Sequence, residues 1–332
     1  MARVGKQYIY SIARVKELEK GLLIPTNLDR VLEADDPLSV LRSIGFLKAA
    51  DDYEEPKSLE ELFLRERLAN RRQLHELVTD SPLEDIFLLP HDIQNVKLFL
   101  KGKLSSNDTI KEIGVEEGKF RKSELLAAIY DDLPTSLPSS IMDDIKSITE
   151  AFQSTRRFAI VDSRLDRRLR LLQLEIARTA KSRFMVEYIQ RLADIQNITT
   201  TIRRKVHLLE RELGSEALLD TGTLPVSFFE KMYDSGWESV AAAFKLTEYD
   251  RAVAKALEHA EQTNFLVWLD LWCSNYIIEF LRKTKYISFG IEPVLAFYLA
   301  RDHELKIVRA ILNGKRFNYP QEKLKRRMRE LY

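Results

Sequence analysis

Gly-Lys pairs are the first residues here whose type and spacing suggest chemistry. A phosphate-binding loop needs GxxxxGK followed by Ser or Thr, so that backbone amides hold phosphates and the hydroxyl holds magnesium. Gly5-Lys6, Gly102-Lys103, Gly118-Lys119 and Gly314-Lys315 are followed instead by Gln7, Leu104, Phe120 and Arg316. The five histidines, His75, His91, His207, His259 and His303, are scattered. His75-Glu76 lacks the second His at i+4 that a zinc protease helix requires. Acidic pairs stand at Asp35-Asp36, Asp51-Asp52, Asp131-Asp132 and Asp143-Asp144. Paired carboxylates can hold magnesium or act as acid and base, but sequence neighbours do not converge on one point, and Asp at helix ends is favoured for capping. No catalytic residue, cofactor or metal is therefore expected.

Arginine is concentrated at Arg156, Arg157, Arg164, Arg167, Arg168 and Arg170, and basic residues gather again at Lys323, Lys325, Arg326, Arg327 and Arg329. Such patches could bind nucleic-acid phosphates. The first is interleaved with Asp162, Asp166 and Glu175 at spacings that offer i,i+4 partners, and it lacks stacking aromatics. A solvated helix face or a protein contact is the reading; Arg164, Arg167 and Arg168 are the candidate contacts, and no nucleic-acid partner is expected.

The elements that would position these groups are helices. With 11 Gly and 10 Pro in 332 residues and no run of alternating β-branched residues, the fold class is all-α. Ser139 to Leu213 contains neither Gly nor Pro, and Phe158, Val161, Leu165, Leu169, Leu172, Ile176, Ala180 and Phe184 form one apolar stripe. Unbroken, that stretch would be on the order of 110 Å long, so at least one turn must interrupt it; Asp194 is the expected place. Ser58-Leu59-Glu60-Glu61 is a capping box opening a helix to Leu77, and a further helix is expected from Glu248 to Gln262. Phe265 to Leu281 is the greasiest run, but Asp270, Asn275 and Glu279 interrupt it and it is short for a span, so it reads as a buried helix. The N-terminus has no apolar signal region. One cysteine, Cys273, in an apolar stretch fits a reducing compartment. The 52 basic and 51 acidic residues leave a net charge of +1, which selects neither nucleic acid nor membrane.

A short pattern recurs four times: SIARVKELEKGLL from Ser11, DIQNVKLFLKGKL from Asp92, DIQNITTTIRRKV from Asp194 and ELKIVRAILNGKR from Glu304. Val15, Val96, Ile198 and Val308 fall in one column, and Ile12, Ile93, Ile195 and Leu305 in another. Gly21, Gly102 and Gly314 share a place where a helix C-cap would use positive φ; Arg204 stands there in the third copy, so that helix should run on. A second register aligns IPTNLDRVLEADDPLSV from Ile24 with LPVSFFEKMYDSGWESV from Leu224, at an offset of 200, with SELLAAIYDD from Ser123 between them. Three helical units follow, 1–113, 114–215 and 216–332, of pseudo-threefold character around a central opening.

The stretch EPVLAFYLARDHELKIVRAILNGKRFNYPQEKLKRRMRELY, from Glu292 to Tyr332, resembles the closing signature of the C-subunit family of V/A-type ATPases, whose eukaryotic relative is the d subunit. Pro293, Ala296, Tyr298, Leu299, Ala300, Arg309, Ile311, Leu312, Gly314, Lys315 and Pro320 carry the match. It departs at Ile307, where the family often has Asn, and at Asp302, where Glu is usual. IYSIARVKELEKGLL and NLDRVLEADDPLSVLRSIGF are similar to the family's opening element. The resemblance implies a funnel-like body on the cytoplasmic face of the membrane, seated on the proteolipid ring and receiving central shaft subunits of the D and F type. It would be a non-catalytic coupling piece, peripheral, with only indirect membrane contact. A helical-repeat scaffold for other proteins or nucleic acid is the alternative, and an enzyme built from scattered acidic residues a third.

Overall fold

The computed structural model describes residues 8–47, 56–78, 81–131, 133, 135–207, 216–258 and 265–332. Asp51, Asp52, Asp132, His259, Gln262 and Gly5-Lys6 lie outside the described residues, as does the side chain of His207. The chain is helical, with no strand among the described residues. It divides into two compact units, one formed by Met1–Asp80 with Ala243–Tyr332 and the other by Ser81–Ala242.

The first unit holds α1 (Ile9–Leu18), α2 (Pro25–Glu33), α3 (Pro37–Ser43) and α4 (Leu59–Leu77), with α12 (Asp250–Leu257), α13 (Phe265–Arg282), α14 (Glu292–Arg316) and α15 (Gln321–Arg326). Ser58 caps α4, accepting from the Glu61 amide at 3.2 Å, while Glu61 reaches back to the Lys57 amide at 2.9 Å; the expected capping box forms one residue wider. The long α14 packs on α1 and α4, and its Leu305, Ile307, Val308, Ile311 and Leu312 share a core with Leu28, Val31, Leu41, Phe46 and Phe63. In α13 the three polar interruptions all face partners. Asp270 meets Arg329, Asn275 Oδ1 accepts the Glu330 amide at 2.8 Å, and Glu279 lies 3.8 Å from Arg251.

The second unit holds α5 (Asp85–Ser105), α6 (Lys122–Tyr130), α7 (Ser139–Thr155), α8 (Ala159–Thr179), α9 (Arg183–His207) and α10 (Val226–Glu230); α11 (Trp237–Phe244) crosses the dividing point. Here α5 packs on α6 and α8, and α8 on α7 and α9, around Val96, Phe99, Leu125, Ile141, Ile148 and Leu165. Pro90 lies inside α5 and has no amide to give the carbonyl of Ile86. The buried amide of Gln173 on α8 donates to that carbonyl instead, at 2.7 Å.

Among the described residues the stretch from Ser139 breaks twice, and not at Asp194. Arg156 closes α7 at φ 53° and Lys181 follows α8 at φ 54°. At the second break the Ser182 amide donates to Ala177 O and the Lys181 amide to Arg178 O, both at 2.9 Å, a Schellman-type closure made without glycine. Ser182 Oγ then accepts from the Met185 amide at 3.3 Å and starts α9. Asp194 sits within α9 because it has another task.

Candidate functional site

The two DIQN segments build the same device. Asp92 and Asp194, on α5 and α9, have no exposed surface. Asp92 accepts the amides of Lys119 at 3.0 Å and Phe120 at 3.1 Å. Asp194 accepts those of Thr223 at 2.9 Å and Leu224 at 3.1 Å, together with the Thr223 hydroxyl. One turn on, Asn95 holds both polar groups of Val115, donating at 2.8 Å and accepting at 3.0 Å. Asn197 does the same to Leu219, at 2.8 and 2.7 Å. Each Asp–Asn pair thus satisfies an irregular connecting segment whose backbone would otherwise be buried without partners, and the charge on the acceptor strengthens those bonds.

The connection must come close to be held this way. A Cβ at Gly118 would lie 1.9 Å from Asp92 Oδ1, and one at Gly222 2.0 Å from Asp194 Oδ1. Gly118-Lys119-Phe120 and Gly222-Thr223-Leu224 therefore correspond, each leading into the next helix, α6 or α10. In the first unit Glu304 of α14 takes the same part, accepting the Leu23 amide at 3.0 Å, so Gly21-Leu22-Leu23 is the third such segment and leads into α2. This sets Leu23 opposite Leu224, an offset of 201, and corrects the sequence register by one residue.

The third clamp is sparer. Glu304 accepts one backbone amide, and its Oε2 has no partner among the described residues. Burial pushes its carboxyl up to about 8, against the opposing pull of the Leu23 amide and the nearby Arg301 and Lys285. Ile307 replaces the Asn for a physical reason. Its counterpart to Val115 and Leu219 is Leu18, the last residue of α1, whose amide is already taken by the helix.

Of the aliphatic columns, Val15, Val96, Ile198 and Val308 are all buried, as are Ile12, Ile93 and Leu305, while Ile195 is half-buried. The expected glycine C-caps are not found. Gly102 and Gly314 lie inside α5 and α14, where a Cβ would meet Tyr130 Oη at 2.8 Å and Leu324 Cδ2 at 2.4 Å. Close packing, not positive φ, requires them; Ser106 at φ 55° closes α5, and Asn318 at φ 54° follows α14. Arg204 lies within α9, which runs on to His207, and its guanidinium covers the Tyr233 ring at 4.9 Å.

The arginine face of α8 is engaged within its own unit. Arg164 donates to Ser147 Oγ at 3.1 Å, Arg167 to the Leu218 carbonyl at 3.1 Å, and Arg168 makes a two-pronged pair with Asp144. Asp162 and Asp166 make their close pairs with Lys101 and Lys97 of α5, while Asp166 also lies near enough to favour the charge on Arg170, its i,i+4 neighbour. His303 Nε2 lies 2.9 Å from the Glu330 carbonyl, and burial draws its imidazole down to about 4. The Cys273 thiol is pushed by burial up to about 12, so it is not a nucleophile at neutral pH. Among the described residues no group of three or more His, Cys, Asp or Glu side chains is placed to hold a metal ion, and no helix is long and apolar enough to cross a membrane.

The clamps tie together the segments that carry the repeat, and the same span of chain matches a known family. The model of the ATP synthase (C/AC39) subunit family matches residues 11–327. The C subunit of the V-type sodium ATPase of Enterococcus hirae is 23% identical over 327 residues, 97% of each chain. The C subunit of the A-type ATP synthase of Methanosarcina acetivorans is 23% identical over 93% of this chain and 89% of its own, and that of Methanocaldococcus jannaschii 21% identical over 96% and 85%. Spanning both ends of the sequence and all four copies of its recurring pattern, this match means that the chain belongs to the ATP synthase (C/AC39) subunit family, the C subunits of V/A-type ATPase complexes.

Proposed function

We propose that this chain is the non-catalytic coupling subunit of its ATPase, joining the central shaft of D- and F-type subunits to the membrane proteolipid ring at the cytoplasmic face. The observation that carries this reading is the recurrence of one carboxylate clamp at Asp92, Asp194 and Glu304. A repeated, internally tied helical element suits a body of three similar units, 1–113, 114–215 and 216–332, arranged with pseudo-threefold symmetry around a socket for a shaft. Torque between an asymmetric shaft and a symmetric ring calls for stiffness and broad contacts rather than a reaction centre. Arg164, the exposed member of the arginine face, remains a candidate contact for an acidic partner surface; Arg167 and Arg168 would have to exchange internal partners to join it.

Depleting the subunit and reconstituting the complex in vesicles tests the proposal. ATP hydrolysis by the catalytic part should continue while ATP-driven ion uptake is lost, and should return when the chain is added back. Full ion pumping without this chain would overturn it.

A further inference from the structure

Two of the Gly-Lys pairs, Gly102-Lys103 and Gly314-Lys315, fall in the recurring pattern, and the third copy keeps the lysine as Lys205. Each of these lysines stands 11 residues after a clamp carboxylate, Asp92, Asp194 or Glu304, on the same long helix. All three are half-buried, and each gives its ammonium to backbone carbonyls. Lys103 donates to Ile129 O in the last turn of α6, and Lys315 to the carbonyl of Ala34, the residue that closes α2, at 2.6 Å. Lys205 gathers Met232 O, Tyr233 O and Ser235 O from the turns that follow α10. These are the three helices whose leading segments the carboxylates hold.

A helix ends on carbonyls that have no partner of their own, and its C-terminal end favours a cation as its N-terminal end favours an anion. The long helix meets both needs. Eleven residues of helix span about 16 Å, against about 13 Å for a nine-residue helix such as α2 or α6. The carboxylate therefore reaches the approach to the short helix while the ammonium reaches its far end. The residue before each lysine can serve the same contact. Gly102 leaves room for Tyr130, the last residue of α6, whose hydroxyl donates to Phe99 O at 3.2 Å, and Arg204 covers Tyr233. In the copy that begins at Ser11 the two places are taken by Ser11 and Leu22, so both charges are missing together.

We propose that Lys103, Lys205 and Lys315 are the second jaws of three two-ended docks, in which one long helix grips the next short helix by a carboxylate at its start and an ammonium at its finish. The short helix then moves only with the long one, and a loss at either end loosens both. The dock is a device of the fold and stands apart from the coupling function, although a body that carries torque is stiffened by it.

Amide hydrogen exchange in the full chain tests this, read at the end that the substitution does not touch. Lys103→Met keeps an unbranched side chain and removes the charge and its donors. Exchange of the Lys119 and Phe120 amides, whose acceptor Asp92 is intact, should rise about tenfold or more. Lys103→Arg, which keeps the charge, should bring both amides back toward their wild-type rates. Lys101→Met, which breaks the part-exposed pair with Asp162 on the same helix, should raise them by less than about fivefold. If Lys103→Met does not fold, Lys315→Met read at the Leu23 amide on Glu304 puts the same question to the other compact unit. Urea melts supply a second arm. Charges about 16 Å apart along a helix are screened from each other, and independent sites add to within about twofold in the unfolding constant. In a dock, Lys103→Met should instead shift that constant about tenfold alone but about threefold or less in an Asp92→Asn background, while Lys205→Met shifts it equally in both. Unmoved Lys119 and Phe120 amides in Lys103→Met, or equal shifts by Lys103→Met in the two backgrounds, overturn the proposal.

Discussion

Three buried carboxylates in equivalent places are solvated differently, and their substitutions should rank accordingly. Asp194→Ala strands two backbone amides and a hydroxyl, which should destabilise the fold by about 2–5 kcal/mol. Glu304→Ala strands one amide and removes a carboxyl that burial disfavours, so its cost should be about 1 kcal/mol. Denaturant melts of the two variants decide this; an equal or reversed order would refute the account of the clamps. The raised value at Glu304 also has a direction in pH. Because the folded state favours the neutral carboxyl, its contribution is complete below about 4.5 and is lost as pH rises to about 8. The melting temperature of Glu304→Gln minus that of wild type should therefore climb across this range and level off above it. His303, held near 4 by burial, acts in the opposite sense between about 4 and 6.5, and taking the difference cancels it. A flat difference would place the Glu304 carboxyl near its ordinary value. Asp92 and Asp194 were visible in the sequence only as the repeated string DIQN. Their partners lie more than 20 residues on, in irregular segments without periodicity, and the remaining signal was a glycine two residues before each clamped Phe120 or Leu224.

At the scale of elements, helix periodicity was readable wherever one face is apolar, which is why α4 and α13 fall where expected. The breaks after α7 and α8 were not, because Arg156 and Lys181 take up left-handed geometry that composition associates with glycine. Conversely, Gly102 and Gly314 suggested helix ends and proved to be contact points. Pro90 supplies an element-level test. Gln173→Leu leaves the Ile86 carbonyl without its donor and should destabilise by about 1–3 kcal/mol. In a Pro90→Ala background the restored amide of residue 90 can serve that carbonyl, and the cost of Gln173→Leu should fall to less than half. Equal costs in the two backgrounds, measured as a double-mutant cycle, would show that Gln173 acts through packing and through the bond its Oε1 accepts from Arg170 at 2.8 Å rather than through the Ile86 carbonyl. The arginine face of α8 behaves as an element too. Arg168→Glu sets two carboxylates against each other at Asp144, at a half-buried position, and should lower the melting temperature whether or not partner subunits are present, whereas Arg164→Glu should leave it unchanged.

For the whole molecule, the sequence repeat and the packing suggest different cooperative units, and that difference can be measured. A near-zero net charge and a helical fold were legible from composition, and the recurring helices from their columns. The grouping of residues around shared cores was not, because it depends on contacts distant in sequence. The clamps at Asp92 and Asp194 lie in one compact unit, where α5, α8 and α9 are packed in succession, while the clamp at Glu304 lies in the other. Local stability follows buried contacts, so loosening one clamp should be felt through the core it shares. Asp194→Ala should therefore speed amide hydrogen exchange at Thr223 and Leu224 and also at Lys119 and Phe120, which belong to the neighbouring copy of the motif. The Leu23 amide on Glu304 should keep its wild-type protection. If faster exchange stops within 216–242, each repeat opens by itself and the compact unit is not cooperative; if it reaches Leu23, the chain opens as one piece. The first outcome would describe a molecule made of three separately yielding parts, and the second a single stiff body. The packing favours the intermediate case, in which residues 81–242 yield together and the clamp on α14 holds.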